Sequence, residues 1–315
     1  MSAEVFNDAS SDPYAVPEGH KSGFVAVIGR PNVGKSTLMN HYVGEKVAIV
    51  SSKPQTTRSR ILGILTRETC QIIFVDTPGI HRPLHRLGEI MVRTATSAIP
   101  DADVVLFLVD ASVPPQEEDR MIARILAEQT DAPIILVLNK MDRLPPENVE
   151  PHTEAYWDLA PFHDEWMMTV ATEGTNLDAL LERILAVLPE GPRYYPREYI
   201  TDQTERQIVA ELIREQVLRH TYHEVPHSVA VVVEEFKERE QDVTYVAANI
   251  FVERESQKGI VIGEKGRMIR QIGLNGRRAV ERLVGGKVYL DLWVKVRKMW
   301  REDERQLRHL GFEGP

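Results

Sequence analysis

The chain of 315 residues is long enough for two domains, and its 43% hydrophobic and 27% charged residues are typical of a soluble globular protein. No apolar run approaches the roughly 20 residues needed to span a bilayer, and Cys70, the single cysteine, excludes an internal disulfide and fits a reducing cytoplasm. The net charge of −9 disfavours a nucleic-acid partner, but residues 254–301 carry 13 Lys and Arg against 4 Asp and Glu. Such a basic patch is most often a solvated surface, so it needs a motif beside it.

The first 22 residues lack the basic start and apolar stretch of a secretory signal, and we expect a disordered tail over 1–22. Apolar, β-branched segments then alternate with helical patterns, which predicts a doubly wound, mostly parallel α/β sheet of six strands in a domain over 23–188. The segments span 24–28, 60–66, 71–75, 104–110, 134–138 and 166–170. Because only a short polar loop joins the second and third, these two are expected to pair antiparallel at one edge.

A Pro/Gly-rich stretch, 189–200, cannot continue a helix and is expected to link a second, α+β domain over 201–297. The pattern of this domain has an α-β-β-α-β order. The predicted elements are a helix 203–219, strands 228–236 and 244–252, a glycine-punctuated helical stretch 263–284 and a strand 288–296. Trp293 lies in the last, alternating strand and is expected to be core. The remaining residues, 298–315, are predicted to form a basic helix or tail.

The sequence GRPNVGKS at residues 29–36 follows a predicted strand and precedes a predicted helix, which is the context that a phosphate-binding loop (P-loop) requires. In such a loop the backbone N–H groups face phosphate oxygens, Lys35 reaches the β- and γ-phosphates, and the hydroxyl of Ser36 binds magnesium. The predicted nucleotide contacts of this segment are Gly29, Asn32, Val33, Gly34, Lys35, Ser36 and Thr37.

Two further motifs end predicted strands at the same edge of the sheet, where ligands of open α/β folds bind. Asp76 opens the sequence DTPG and is placed to hold magnesium through water, while the N–H of Gly79 would meet the γ-phosphate. The sequence NKMD supplies Asn139, Lys140 and Asp142. A carboxylate at the last position can accept from the N1–H and the exocyclic amine of guanine, whereas adenine offers neither donor there. The three motifs together predict a GTP site.

The sequence GEKG at residues 263–266 places a Gly-x-x-Gly loop before a helix, the arrangement with which KH domains hold about four nucleotides. Alone this signal is weak, because glycines at a helix start more often form only a turn. The element order and the basic patch strengthen it, as do Ile260, Ile262 and Ile269, which are expected to floor a base-binding groove. The predicted RNA contacts are Lys258, Ile262, Gly263, Glu264, Lys265, Gly266, Arg267 and Arg270.

Residues 22–301 resemble the bacterial Era family of GTPases. The resemblance rests on GRPNVGKS, on QTTR at residues 55–58, on GIVIGEKG at residues 259–266 and on LDLWVKV at residues 290–296. It implies a translation-factor-type GTPase domain, a type II KH domain that binds the 3′ end of 16S ribosomal RNA, and a role in maturation of the 30S subunit. It also implies GTP, GDP and Mg²⁺ as ligands. By resemblance the catalytic groups are Lys35, Thr57 and Gly79, and the metal-binding groups are Ser36, Thr57 and Asp76.

The resemblance also assigns residues 45–58 to the first switch loop, in which Thr57 binds magnesium only in the GTP state. The fifth GTPase box reads VAT at residues 170–172 where Ser-Ala is usual, so only the backbone N–H of Ala171 is expected to meet the guanine carbonyl. Ile80 stands where many GTPases carry a glutamine that orients the attacking water, and slow hydrolysis is therefore expected.

Asn32 matches a position linked to potassium in related GTPases, so the resemblance implies K⁺ as a further cofactor. Two other functions remain open at this stage. One is an RNA-binding module in which the nucleotide is only a structural ligand. The other is a signalling GTPase at the inner membrane, whose basic segment contacts anionic lipid. We expect a cytoplasmic monomer with at most peripheral membrane contact.

Overall fold

The computed structural model describes residues 14–239 and 243–312. Two sheets organise this part of the chain, one of six strands and one of three. The strands of the larger sheet are β1 (Lys21–Ile28), β2 (Ile61–Thr66), β3 (Cys70–Asp76), β4 (Val104–Asp110), β5 (Ile134–Asn139) and β6 (Glu165–Thr169). Those of the smaller sheet are β7 (Ala230–Arg239), β8 (Val243–Val252) and β9 (Lys287–Val296).

Helices cover both faces of the larger sheet and one face of the smaller sheet. Those of the first domain are α1 (Lys35–Val43), α2 (Arg86–Thr96), α3 (Glu117–Gln129), α4 (Val149–Leu159) and α5 (Leu177–Val187). Those that follow are α6 (Glu205–His220), α7 (Val225–Ser228), α8 (Glu255–Ile262), α9 (Arg267–Val284) and α10 (Glu304–His309). Within the described residues, no helix is both long enough and apolar enough to cross a membrane.

The larger sheet has the strand order β2-β3-β1-β4-β5-β6, and β2 alone pairs antiparallel to its neighbour. This confirms the predicted mixed, mostly parallel sheet with an antiparallel hairpin at one edge. Strands β3, β4 and β5 read as continuous apolar runs because α1 and α5 cover one face and α2, α3 and α4 the other. The carboxyl ends of β1, β3 and β5 therefore meet at one edge of the sheet.

The smaller sheet has β8 at its centre, antiparallel to β7 and parallel to β9, with α6 and α9 packed on one face. This α+β arrangement confirms the predicted KH domain. The sequence pattern missed α8, because Gly259 and the β-branched residues after it have low helix propensity. Packing stabilises this helix instead: Val261 is buried, and Oε1 of Gln257 accepts from the backbone N–H groups of Glu253 and Arg254.

The expected tail over 1–22 is wrong at its end, because β1 begins at Lys21 and His20 is buried. Residues 1–13 lie outside the described residues. The stretch 189–200 runs along the first domain. There Oε1 of Gln71 accepts hydrogen bonds from the backbone N–H groups of Tyr194 (2.7 Å) and Tyr195 (2.9 Å). The stretch between the two sheets is therefore held against the first domain.

The C-terminal segment, residues 298–312, packs between the two domains. It was expected to be basic, but residues 298–315 carry four Lys or Arg and four Asp or Glu. Trp300 is completely buried and donates from Nε1 to the carbonyl of Ser228 (2.9 Å), and Leu307 is buried beside it. The apolar cluster that they form extends to Leu87 of α2 and to β8. This segment therefore touches both domains.

We expect Trp300→Ala to lower the free energy of unfolding by about 3–5 kcal/mol, because it leaves a cavity and an unpaired Ser228 carbonyl. The neighbouring side chain of Met299 is 66% exposed, so Met299→Ala should change this free energy by about 0.5 kcal/mol or less. Urea unfolding followed by circular dichroism measures both values. Equal effects of the two substitutions would contradict the interdomain packing of Trp300.

Candidate nucleotide and RNA sites

The P-loop, residues 29–34, connects β1 to α1 and requires glycine at both of its ends. A Cβ on Gly29 would lie 2.2 Å from the carbonyl oxygen of Leu108. Gly34 has φ +112°, and a Cβ there would lie 2.3 Å from the side-chain nitrogen of Asn139. Among the described residues no side chain caps α1, and its first turn has no acidic residue. The free N–H groups of this helix terminus therefore face an anion-binding position.

Lys35 lies at the centre of this loop. Its Nζ donates to the carbonyl oxygens of Gly29 and Arg30, both at 3.0 Å. Burial lowers the pKa of Lys35 to about 8, although the charge of Asp76 opposes this shift. A phosphate in the cleft would give the ammonium a stronger acceptor than two carbonyls.

The three side chains predicted to bind magnesium converge. Ser36 donates to Oδ2 of Asp76 (2.6 Å), and its hydroxyl lies 2.9 Å from that of Thr57. Oδ1 of Asp76 is buried without a hydrogen-bond partner among the described residues. Burial raises the pKa of this carboxyl to about 6, against the opposing charge of Lys35. Hydroxyl and carboxylate oxygens are hard ligands, so the cluster fits Mg²⁺ completed by phosphate and water oxygens.

The base-binding end of the cleft is built around Asn139 at the end of β5. Its Nδ2 donates to the carbonyl of Val33 (2.8 Å), and its Oδ1 accepts from Thr169 (3.1 Å) and from the N–H of Ala171 (3.0 Å). The amide of Asn139 therefore joins the P-loop to the fifth box. The N–H of Ala171, predicted to meet the guanine carbonyl, is already donated here, so a guanine would have to share or replace that bond. Asp142 faces the cleft with its side chain 32% exposed.

The surroundings of Gly79 and Ile80 explain why a glycine and an apolar residue stand at these two positions. A Cβ on Gly79 would lie 2.4 Å from the backbone nitrogen of Pro31, so only glycine lets the DTPG segment approach the P-loop. Ile80 is completely buried in the apolar core on the far side of the sheet. Sequence reasoning missed Gln55, which lines the cleft and donates from Nε2 to Nε2 of His81 (2.9 Å). This bond joins the first switch loop to the segment after Gly79.

One cleft gathers most of the predicted nucleotide contacts. The other three, Gly29, Val33 and Asp76, form hydrogen bonds with residues that line it. The predicted residues that line it are Asn32, Gly34, Lys35, Ser36, Thr37, Thr57, Gly79, Asn139, Lys140, Asp142 and Ala171.

The Gly-x-x-Gly loop lies between α8 and α9 and projects its charged side chains into solvent. Gly263 has φ +70°, and a Cβ there would lie 2.6 Å from Cβ of Met268. The side chains of Lys265 and Arg267 are exposed. Ile260, expected to floor a groove, is 50% exposed, while Ile262 and Ile269 are half-buried. The other predicted contacts, Lys258, Glu264, Gly266 and Arg270, lie on the same loop and the adjoining helix turns.

The first switch loop is packed against the KH domain, which the sequence did not indicate. Ile49 belongs to the apolar core of that domain, and Lys46 donates to Glu215 of α6 (2.6 Å). Arg214 of α6 donates to the carbonyl of Thr56. The side chain of Arg58 is buried and donates to backbone carbonyls of the next domain, at Val229 (2.6 Å), Pro226 (3.1 Å) and His227 (3.2 Å).

Two family models match the chain: a model described as "50S ribosome-binding GTPase" over residues 24–140 and a KH domain model over residues 224–301. GTPase Era of Geotalea uraniireducens is 50% identical over 293 residues, which cover 93% of this chain and 98% of that protein. The chain belongs to the Era family of GTPases. Era of Rippkaea orientalis is 51% identical over 306 residues and covers 96% of each chain. As a member, the chain hydrolyses GTP to GDP and phosphate.

Solved Era structures superpose on nearly the whole molecule. Era in complex with MgGDPNP and nucleotides 1506–1542 of 16S ribosomal RNA aligns with a TM-score of 0.89 at 40% identity, covering 93% of this chain and 99% of that one. A point variant of Aquifex aeolicus Era bound to GDP·AlF4⁻ aligns with the same TM-score, identity and coverage. The Era fold, including the position of the KH domain beside the GTPase domain, is thus common to these chains, and guanine nucleotide with Mg²⁺ is the family's ligand.

The raised pKa of Asp76 predicts a linked change in stability. Between the unfolded value of 3.8 and the folded value of about 6, the nucleotide-free folded state binds more protons than the unfolded chain, so its free energy of unfolding falls as pH rises through this window. We expect Asp76→Asn to raise that free energy at neutral pH by about 1–3 kcal/mol and to remove the Mg²⁺ dependence of GTP binding. Urea unfolding of the nucleotide-free protein and GTP titration with and without EDTA measure both.

A matched substitution in the same cleft is Asp142→Asn. Because this side chain is partly exposed, it should leave the free energy of unfolding within about 0.5 kcal/mol of the parent value. It should instead weaken the binding of GTP relative to that of xanthosine triphosphate, because the C2 carbonyl of xanthine accepts a hydrogen bond from the new amide. If both variants shift stability equally, the account of Asp76 is wrong.

Proposed function

We propose that this chain is a slow GTP-hydrolysing switch whose nucleotide state controls how its KH domain binds the 3′ end of 16S ribosomal RNA during maturation of the 30S subunit. The observation that carries this proposal is the position of the first switch loop. The hydroxyl of Thr57 contacts Ser36 in the nucleotide cleft, while the residues on either side of it, Thr56 and Arg58, bind the KH domain.

The assigned roles at the nucleotide follow from the contacts in the cleft. The carboxylate of Asp142 receives the guanine donors, and Asn139 holds the base-binding segment against the P-loop. Lys35 turns its ammonium from two backbone carbonyls to the phosphates, whose negative charge favours the protonated form. Mg²⁺ held by Ser36, Thr57 and Asp76 would neutralise phosphate charge. The N–H of Gly79 orients the γ-phosphate.

Slow turnover follows from the side chain after Gly79. Ile80 is buried in the core and has no group that could orient a water molecule. The remaining contributions to hydrolysis are positioning and charge stabilisation by Lys35, Thr57 and the backbone of Gly79. Slow GTP hydrolysis suits a timing switch rather than a metabolic enzyme. It would also allow the ribosomal particle to accelerate the reaction.

A potassium site at Asn32 forms part of the proposal. Nδ2 of Asn32 donates to the carbonyl of Ser52 in the first switch loop (2.9 Å), so the side-chain amide of Asn32, with its oxygen, and one loop carbonyl lie at the rim of the cleft. Such oxygens replace the hydration shell of K⁺.

We expect GTP turnover to be several-fold faster in potassium than in sodium at equal ionic strength, and Asn32→Ala to abolish the difference because it removes the amide oxygen. Steady-state phosphate release measures both rates. Identical rates in the two salts would contradict the potassium site.

The RNA class is assigned by similarity and by the chemistry of the loop. The Era structure that holds nucleotides 1506–1542 of 16S ribosomal RNA is 40% identical to this chain. In this chain Lys265 and Arg267 are exposed beside Gly263 and Gly266, where a phosphate backbone can approach closely. We therefore prefer RNA to anionic lipid for this surface. The proposal places the chain in the cytoplasm as a monomer bound to the 30S subunit, and peripheral contact with the inner membrane would be seen by liposome co-sedimentation.

The coupling between the sites is assigned to Arg58. Its guanidinium is buried among carbonyls, and burial, followed by the nearby charge of Arg214, lowers its pKa. Such a group is stable only while its acceptors are in place. Withdrawal of Thr57 from the cleft after hydrolysis would pull this group from the segment between α6 and β7, and so change how the KH domain is held.

The deciding experiment compares binding of the 1506–1542 RNA to the GTP-analogue and GDP forms. We expect the analogue form to bind more tightly, and Lys265→Asp/Arg267→Asp to weaken both forms by about tenfold or more because two phosphate contacts become repulsive. Filter binding at one fixed salt concentration measures these affinities. These positions are preferred to Gly263, where a side chain would distort the loop itself.

The matched control is Arg120→Asp/Arg124→Asp on the exposed face of α3, which should leave RNA affinity unchanged. Arg58→Lys keeps the charge but cannot reach all the carbonyls, so it should reduce the difference between the nucleotide states. Equal weak binding in all forms would overturn the RNA role and leave a GTPase alone.

A further inference from the structure

The outer face of β9, the face turned away from the KH helices, carries an alternating pattern that the proposed function does not use. On the inner face Leu290 and Leu292 pack in the core against α9. The intervening side chains point the other way, as the two-residue period of a strand requires. From the start of the strand they are Lys287, Tyr289, Asp291, Trp293 and Lys295.

This face exposes aromatic rings. Trp293, expected to be core, is 47% exposed, and Tyr289 is 56% exposed. The parallel register pairs Tyr289 with Tyr245 of β8, and the two rings stack with centroids 5.9 Å apart. Arg239 lies over the ring of Tyr245, 3.7 Å from its centroid. The strand alternation is correct. The C-terminal segment and α2 cover Phe251 at one end of this face, and the rings of Trp293 and Tyr289 lie outside that apolar cluster.

Two lysine side chains on this face are free to bind an anion. Asp291 accepts a hydrogen bond from the hydroxyl of Tyr245 (3.1 Å), so its carboxylate is already engaged. The side chains of Lys287 and Lys295 form no hydrogen bond or ion pair with any of the described residues. Aromatic rings interleaved with lysines along one strand are how single-stranded nucleic acid is held without sequence preference, by base stacking and phosphate attraction. A protein partner would not require cations at both ends of the aromatic pair.

The face is continuous with the proposed RNA loop. Among the described strands β9 pairs only with β8, so it forms the edge of the sheet. The helices on either side of the Gly-x-x-Gly loop, α8 and α9, both pack against β9. The loop therefore lies between two helices that both adjoin the β9 edge.

We propose that single-stranded RNA flanking the nucleotides at the Gly-x-x-Gly loop continues around the edge of β9 and stacks on Trp293 and Tyr289. The proposal rests on the KH domain binding RNA, as proposed above. It adds a second contact region whose chemistry is sequence-tolerant stacking, and it extends the length of RNA that the domain holds beyond about four nucleotides.

The test compares single-stranded RNAs of about four and about twelve nucleotides from the 1506–1542 region, bound to the full chain in its GTP-analogue form. We expect Trp293→Ala to lower the affinity for the long RNA by about tenfold and the affinity for the short RNA by less than about twofold, because only the long RNA reaches the outer face. Trp293→Phe, which keeps a stacking ring, should restore most of the affinity. The matched control is Trp166→Ala, an exposed tryptophan on β6.

The outcomes separate this inference from the RNA role itself. If the parent chain binds neither RNA, the proposed function fails. If it binds both and Trp293→Ala changes neither affinity, or changes both equally, the outer face is not an RNA surface and the inference is overturned. Unchanged RNA affinity with weakened co-sedimentation with 30S subunits would assign the face to a protein and also overturn it. Thermal unfolding of Trp293→Ala within a few degrees of the parent confirms that the variant is folded.

Discussion

The burial of Arg58 at the joint between the domains constrains much of the molecule. A buried guanidinium costs several kcal/mol unless acceptors surround it, and here the acceptors are backbone carbonyls rather than a carboxylate. The charge with the largest effect on its pKa is another guanidinium, that of Arg214, which is itself paired with Glu211. This arrangement stabilises the joint only while the switch loop keeps its conformation, because any displacement leaves a buried charge without partners.

The nucleotide cleft shares this dependence on distant parts of the chain. The ends of parallel strands bring the P-loop, DTPG and NKMD to one edge of the sheet, and the amide of Asn139 joins the first of these to the last. Close backbone approach at Gly29 and Gly79 fixes the shape of the cleft, while Thr57 closes it from a loop whose neighbouring residues, Thr56 and Arg58, bind the KH domain. A rigid phosphate site bordered by a movable threonine is suited to a switch.

The start of α2, which follows the DTPG segment in the chain, is joined to the C-terminal end of the chain. Leu87 at the start of α2 donates its N–H to the carbonyl of Arg301 (3.0 Å), and Arg86 pairs with Glu304 of α10. Trp300 fills the space between this helix and the KH sheet. The first switch loop and the start of α2 thus both contact the C-terminal half, so the nucleotide cleft is joined to that half through packed groups at two places rather than one.

The sequence by itself determined the chemistry that depends on short motifs. GRPNVGKS, DTPG, NKMD and GEKG each require particular side chains or glycines at fixed spacing, and the apolar alternation located nearly every strand within a few residues. Only the tertiary structure decided which faces of the elements are covered. A period of two placed Trp293 and Leu292 on opposite faces of β9 but could not say which face the helices cover, and Trp300 looked like part of a charged tail until its partners on α2 and β8 were known. The contacts of Arg58 with residues near position 229 are likewise invisible in the sequence, because backbone carbonyls carry no residue signature.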